Sequence, residues 1–174
     1  VSPQIWAWAP GRIHFIKRYI QKMVVLFSFE KDLYQEIGMD VYWAGHPMVD
    51  HVVSHADIDQ LKQEWHILEQ HPLIAILPGS RKNEIMQNFP VMVQTAAQLI
   101  TIYPKIHFLV PYVAMNDEAQ LQRMLPESLK KHFLFLYQGA YDIFKVSDFA
   151  MVASGSATLE AACMLLPMVI IYRV

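Results

Sequence analysis

The sequence predicts an α/β fold built on parallel sheets covered by helices on both faces. Three observations predict it. Short, continuously apolar runs such as LIAIL at 73–77 and MVIIY at 168–172 read as buried strands. They alternate with longer mixed runs whose apolar residues recur three and four apart, the helical spacing. Strands apolar on both faces that alternate with helices belong to parallel sheets rather than to hairpins.

Taken in order, residues 1–46 read strand, helix, strand, helix, strand. The first strand is expected near Gln4–Trp8, broken by Pro10-Gly11. Ile13, Ile16 and Ile20 then give helical spacing. Val24–Phe27 is a strand, Glu30–Ile37 a short helix ended by Gly38, and Val41–Ala44 a strand closed by Gly45-His46-Pro47. Residues 47–72 are polar and histidine-rich, with one helical stretch near Ile58–Leu68, and read as a connection between domains. A cleaner series follows. Strands are expected at 73–77, 106–110, 133–136, 148–152 and 168–172, and helices at 82–102, 116–131, 140–147 and 156–165. The domain boundaries are therefore drawn at 1–50, 51–72 and 73–174.

With 174 residues the chain has the size of one large domain or parts of two. It begins at Val1 and stops inside the apolar run MVIIYRV, so it is expected to be a piece of a longer protein. Hydrophobic residues make up 54% and charged residues 17%, enough for a substantial core and too apolar for a disordered chain. The longest apolar run, Ala161–Tyr172, is broken by Pro167 and falls short of the ~18 residues of a membrane span. A net charge of −2 gives no reason to expect nucleic acid as a partner. The single Cys163 excludes an internal disulfide and fits a reducing, cytoplasmic compartment.

Two loops carry the chemistry. In parallel α/β sheets, ligands bind beyond the carboxyl ends of strands, where loops enter helices. Pro78-Gly79-Ser80-Arg81 follows LIAIL, and Ala153-Ser154-Gly155-Ser156 follows DFAMV. The first N–H groups of a helix have no internal partner and the dipole is positive there, so anions bind readily. Gly155 leaves the backbone open to a diphosphate. Ser154, Ser156 and Thr158 offer hydroxyl donors. Glu160 suits ribose hydroxyls, and its spacing from Ser156 is wrong for a capping box. Ser80 can cap the long helix, Gly79 permits a tight turn, and Arg81 sets a fixed positive charge beside a diphosphate or the charge that grows on it during bond cleavage. The alternative for both loops is ordinary helix capping by Ser80, Ser154 or Ser156, with Arg81 and Glu160 merely solvated.

Other motifs are absent or weak. There is no GxGxxG, no GxxxxGK[ST] and no GxSxG, which removes the signatures of nicotinamide or flavin dinucleotide sites, P-loop NTPases and serine hydrolases. His46, His51 and His55 with Asp50 have the composition of a metal site, but a connecting segment containing Pro47 gives them no reason to converge. Cys163, among apolar helix residues, reads as core rather than nucleophile. Between Val1 and Phe29 there is no acid, whereas Arg12, Lys17, Arg18 and Lys22 stand among Ile13, Phe15, Ile16, Tyr19 and Ile20. That segment either lies on an anionic membrane surface or packs its isoleucines on a sheet.

Five stretches in register, VSPQIWAWAPGRI at 1–13, LFSFEKDLY at 26–34, GHPMVD at 45–50, LPGSRKNEI at 77–85 and SGSATLEAACMLLPMVIIYR at 154–173, resemble the lipid A disaccharide synthases. These are bacterial glycosyltransferases of the GT-B fold, with two Rossmann-like doubly wound domains. The resemblance implies that residues 1–50 end the acceptor domain and that 73–174 form most of the nucleotide-sugar domain. It implies inverting transfer of a diacylglucosamine unit from UDP-2,3-diacylglucosamine to lipid X, 2,3-diacylglucosamine 1-phosphate, giving the disaccharide and UDP at the inner face of the cytoplasmic membrane. No cofactor or metal is implied. Gly79, Ser80 and Arg81 would lie near the nucleotide, Arg81 steadying the leaving group. Ser154, Gly155, Ser156 and Thr158 would face the diphosphate, and Glu160 the ribose. The catalytic base falls outside this sequence, so the isolated chain is expected to be inactive. Ala9 stands where the family has Arg and Ser156 where it usually has Thr. Another UDP-sugar GT-B enzyme, such as an N-acetylglucosaminyltransferase or an epimerase, or a non-catalytic nucleotide-binding remnant, are the alternatives.

Overall fold

The computed structural model describes residues 1–67, 71–113, 115–137 and 139–172. The chain divides into two compact units, Val1–His51 and Val52–Val174.

The first unit contains α1 (Ile5–Trp8), α2 (Arg12–Tyr19), β1 (Lys22–Val25), α3 (Ser28–Glu36), β2 (Asp40–Trp43) and α4 (Met48–His51). Strands β1 and β2 pair in parallel, Lys22 opposite Asp40 through Val25 opposite Trp43. The expected strand at 4–8 is instead the single helical turn α1, where Ala9 N–H donates to the Ile5 carbonyl. Ile5 alone of that turn is buried, in a small core with Met23, Val25, Tyr34 and Met39. A short apolar run of this length fits a strand or a helical turn, and here the helical turn forms. Ile13 and Ile16 of α2 pack against this core, while Phe15 (65%) and Tyr19 (58%) stay exposed. Glu30 is buried, and its carboxylate accepts from the Leu26 and Phe27 amides that enter α3.

The second unit contains α5 (Ile58–Glu64), β3 (Leu73–Leu77), α6 (Lys82–Ile102), β4 (His107–Tyr112), α7 (Met115–Arg123), a 3-10 turn (Glu127–His132), β5 (Phe133–Tyr137), α8 (Ala140–Val146), β6 (Phe149–Ala153), α9 (Ser156–Cys163) and β7 (Met168–Ile171). The five strands are all parallel, in the order β5-β4-β3-β6-β7. In chain order this is 3-2-1-4-5, the doubly wound arrangement that reverses direction between its first and fourth strands.

Period-two alternation explains how both faces are filled. Ile74 and Ile76 of β3 join Phe89, Met92, Val93 and Ala96 of α6 on one face. Leu73, Ala75 and Leu77 join Ile143, Phe144 and Val146 of α8, Ala161 of α9 and Leu61 of α5 on the other. Each fully buried large side chain is worth about 1.5–3 kcal/mol. The four buried apolar residues of α6 thus outweigh the ~3 kcal/mol that Pro90 costs inside that helix.

Two further expectations need correction. The helix expected at 116–131 ends at Arg123 and resumes as the 3-10 turn, because Pro126 fixes an extended backbone between them. The helical stretch near Ile58–Leu68 ends at Glu64, and Leu68 lies outside the described residues. Residues 52–67 pack into the second unit. Lys145 Nζ donates to the carbonyls of Ser54 (3.2 Å) and Ala56 (2.6 Å), and Ser54 Oγ donates to Asp142 Oδ1 at 2.6 Å.

Candidate functional site

The reversal in strand order puts β3 beside β6, with Leu77 opposite Val152. Their two outgoing loops therefore leave the same edge of the sheet side by side. A crevice of about 340 Å³ opens between them, lined by Gly79, Ser80 and Glu84 from one side and by Ser154, Gly155, Ser156 and Glu160 from the other. Pro111, Val113 and Ala140 close its flanks.

The loop after β3 is fixed by two side chains of α6. Glu84 Oε2 accepts from the amides of Ser80 (3.2 Å) and Arg81 (3.4 Å), and buried Asn88 Nδ2 donates to the Pro78 carbonyl at 3.0 Å. Gly79 has φ +121, and a Cβ there would lie 2.7 Å from Cβ of Glu84. Both conformation and space demand glycine. Ser80 is not the cap expected of it: the helix starts one residue later, after Arg81, and Glu84 supplies the capping acceptor. Arg81 does not line the crevice. Its side chain is 83% exposed, and Nη1 donates to Glu84 Oε1 at 3.1 Å.

The loop after β6 is built differently. Ser154 N–H donates to the Ile171 carbonyl, which ties the loop to β7. Gly155 is extended, and a Cβ added to it would meet nothing within 4 Å. The space beside it is open crevice. The hydroxyls of Ser154 and Ser156 have no hydrogen-bond partner among the described residues, so neither caps α9. Thr158 Oγ1 donates to the Gly155 carbonyl at 2.7 Å and is outside the crevice lining, so its hydroxyl fastens the loop. Glu160 lines the crevice and is half-buried. Burial, and then the nearby Glu160 charge, push the Tyr141 hydroxyl above its usual pKa.

Six of the eight residues singled out from the sequence meet here: Gly79, Ser80, Ser154, Gly155, Ser156 and Glu160. Arg81 and Thr158 flank it. Glu84 and Asn88 were missed. Glu84 was detectable, since an acid three residues after a helix start marks a capping box. Asn88 carried no signal beyond being polar on an apolar helix face. Cys163 is half-buried. His46 Nδ1 accepts from the Met48 amide at 3.2 Å, and among the described residues no group of three His, Cys, Asp or Glu side chains is placed to hold a metal ion.

A doubly wound parallel sheet with a crevice at its switch point defines a Rossmann-like unit, and its structural neighbours are GT-B glycosyltransferases. HepE of Anabaena in complex with UDP-glucose superposes with a TM-score of 0.50 at 14% identity, over 97% of this chain and 50% of that one. The wall teichoic acid polymerase TagF gives 0.50 at 14%, over 92% and 42%. These likenesses establish the fold. The sequence carries the rest: the chain belongs to the lipid-A-disaccharide synthetase family (LpxB), whose model matches residues 1–174. It is 38% identical to lipid-A-disaccharide synthase 1 of Legionella pneumophila (strain Lens), covering 99% of this chain and 45% of that protein. It is 34% identical to lipid-A-disaccharide synthase of Syntrophus aciditrophicus (strain SB), covering 100% and 45%. The chain spans about half the length of the curated relatives it matches.

Proposed function

We propose that this chain supplies the donor-binding part of a glycosyltransferase that moves diacylglucosamine from UDP-2,3-diacylglucosamine to lipid X, releasing UDP. One observation carries the reading: the open space at Gly155, beside two hydroxyls without partners among the described residues, at the start of α9. Among the described residues nothing fills that space, and the free amides at the start of α9 face a ligand there as they would a diphosphate. Family membership and the UDP-glucose bound by HepE support a nucleotide sugar as the occupant.

In this reading the acceptor 6-hydroxyl attacks the anomeric carbon and gives its proton to a base outside this sequence. The carbon–oxygen bond to the diphosphate breaks, and the electron pair leaves with UDP. The α9 amides, with Ser154 and Ser156, hold the oxygens that gain charge. Arg81 turns from Glu84 to the diphosphate, and Glu160 accepts from the ribose. Thr158 holds the loop in shape for these contacts.

We also propose that the first unit rests on the anionic inner face of the cytoplasmic membrane. Trp6, Trp8, Phe15 and Tyr19 are exposed beside Arg12, Lys17 and Arg18, and the Arg12 guanidinium lies 4.7 Å from the centroid of the Trp8 ring. No helix of the described residues is long and apolar enough to cross a membrane.

The test compares donors in the enzyme that contains this chain. Disaccharide 1-phosphate formed from the diacylated UDP-sugar, and not from UDP-N-acetylglucosamine, is the expected result. Equal transfer from both would favour a different UDP-sugar enzyme. UDP binding without any transfer would favour a non-catalytic nucleotide-binding remnant.

A further inference from the structure

At the opposite, amino-terminal edge of the five-stranded sheet lies a second cavity, of about 410 Å³. Its charged and titratable lining among the described residues is entirely basic: His66, His71, Lys105, His107, Lys131 and His132. The topology assembles them. His71 precedes β3, Lys105 precedes β4 and His107 begins it, and Lys131 and His132 precede β5, three strands that are parallel neighbours. Their incoming ends therefore stand in a row. His71 and His107 stack with ring centroids 6.3 Å apart, and His107 and His132 lie at 6.1 Å. His66, held at φ +57 after α5, completes the wall. The nearby acid Asp148, before β6, is engaged by the Leu73 amide at 2.9 Å and does not line the cavity.

Like charges gathered this closely gain nothing from one another. Burial, then repulsion from His132 and His71, hold His107 below its ordinary pKa, against an opposing hydrogen bond to the Lys105 carbonyl. The ring atoms say what the cluster can do. His107 Nδ1 lies 3.1 Å from the Lys105 carbonyl and His132 Nδ1 lies 2.9 Å from the Ile106 carbonyl. A carbonyl only accepts, so Nδ1 carries the proton in both rings, and Nε2 is left with the lone pair that can take a proton and become a donor.

We propose that this cavity is a binding site for a phosphate-class anion, inorganic phosphate or a phosphate-monoester headgroup, and that binding is coupled to protonation of its histidines. The two lysines contribute fixed point charges, and the protonated rings add directed donors. The site is independent of the crevice, from which the five residues of β3 separate it by about 16 Å.

The test titrates the 174-residue chain with inorganic phosphate in a chloride buffer, reading the histidine ring protons by NMR. A parallel arm uses phosphatidylcholine vesicles with and without phosphatidic acid. Phosphate should shift His71, His107 and His132, more tightly at about pH 5.5 than at about pH 7.5, on either side of the ordinary histidine pKa. Lys105→Met combined with Lys131→Met, both at exposed positions, should weaken binding about tenfold by removing two charged contacts. Gly155→Val, at the other edge, should leave it unchanged. Binding only to phosphatidic acid vesicles, with the same loss in the double variant, would identify a lipid headgroup as the ligand. The proposal is overturned if neither ligand perturbs these histidines, if the double variant binds as the parent does, or if Gly155→Val abolishes the effect.

Discussion

Arg81 and Glu84 form a pair in which the guanidinium donates to one carboxylate oxygen at 3.1 Å, while the other oxygen accepts from Arg81's own amide at 3.4 Å. One acid thus shapes the loop after β3 and neutralises the cation beside the crevice. The pair is exposed, and such pairs contribute about 0–1 kcal/mol to stability. Arg81 is therefore held by little and free to turn toward a diphosphate.

Arg81→Ala in the enzyme that contains this chain should lower turnover tenfold or more, ~1.4 kcal/mol of barrier. Its unfolding free energy should change by less than about 0.5 kcal/mol, as for other surface substitutions. Steady-state kinetics with unchanged turnover would remove Arg81 from the mechanism.

Gly79→Ala should destabilise the second unit by about 1–3 kcal/mol, since φ +121 is forbidden ground for alanine and its Cβ would strike Glu84. Adding Glu84→Gly, which removes the Cβ that would be struck at 2.7 Å, should recover part of that loss, the part due to collision. Urea unfolding of both single variants and the double variant measures this coupling. Strict additivity would contradict the contact.

Asn88→Ala leaves the Pro78 carbonyl without its buried donor and should cost about 1–3 kcal/mol. Because the lost bond anchors the loop after β3, UDP affinity should fall as well. A stability loss with full UDP affinity would show that Asn88 supports the helix and not the site.

Acid should destabilise the second unit through His107. Its pKa is lowered in the folded state, so near neutrality the unfolded chain binds more protons and stability rises with pH. The loss begins below about pH 6.5, the ordinary histidine value, and is complete below the lowered folded value. His107→Gln should flatten this dependence between about pH 7.5 and 5, a window set by that ordinary value. Thermal unfolding in a phosphate-free buffer tests it. An equally steep profile in the variant would assign the dependence to other groups.

The doubly wound series was legible because its strands are continuously apolar and most helix boundaries carry Pro, Gly or Ser; Leu73–Leu77 and Lys82–Ile102 fall where the periodicity puts them. The edge shared by the two loops was legible too, since parallel topology aligns carboxyl ends. What failed was local. Gln4–Trp8 reads as a short apolar run like a strand, yet Ile5 alone is buried and the segment turns. Ser80 looked like a cap, but the backbone geometry at Gly79 hands that task to Glu84. The basic cavity at the opposite edge could not be read from the sequence, because His71, His107 and His132 are distant in the chain and only the strand order makes them neighbours.

The central claim is that the space beside Gly155 receives a diphosphate. Gly155→Val tests it, because the backbone there is extended and an added Cβ meets no atom of the described residues within 4 Å. Calorimetric titration with UDP should show binding to the parent chain and a loss of at least about tenfold, 1.4 kcal/mol, in the variant, with an unchanged melting temperature. UDP bound equally well by Gly155→Val would contradict the account.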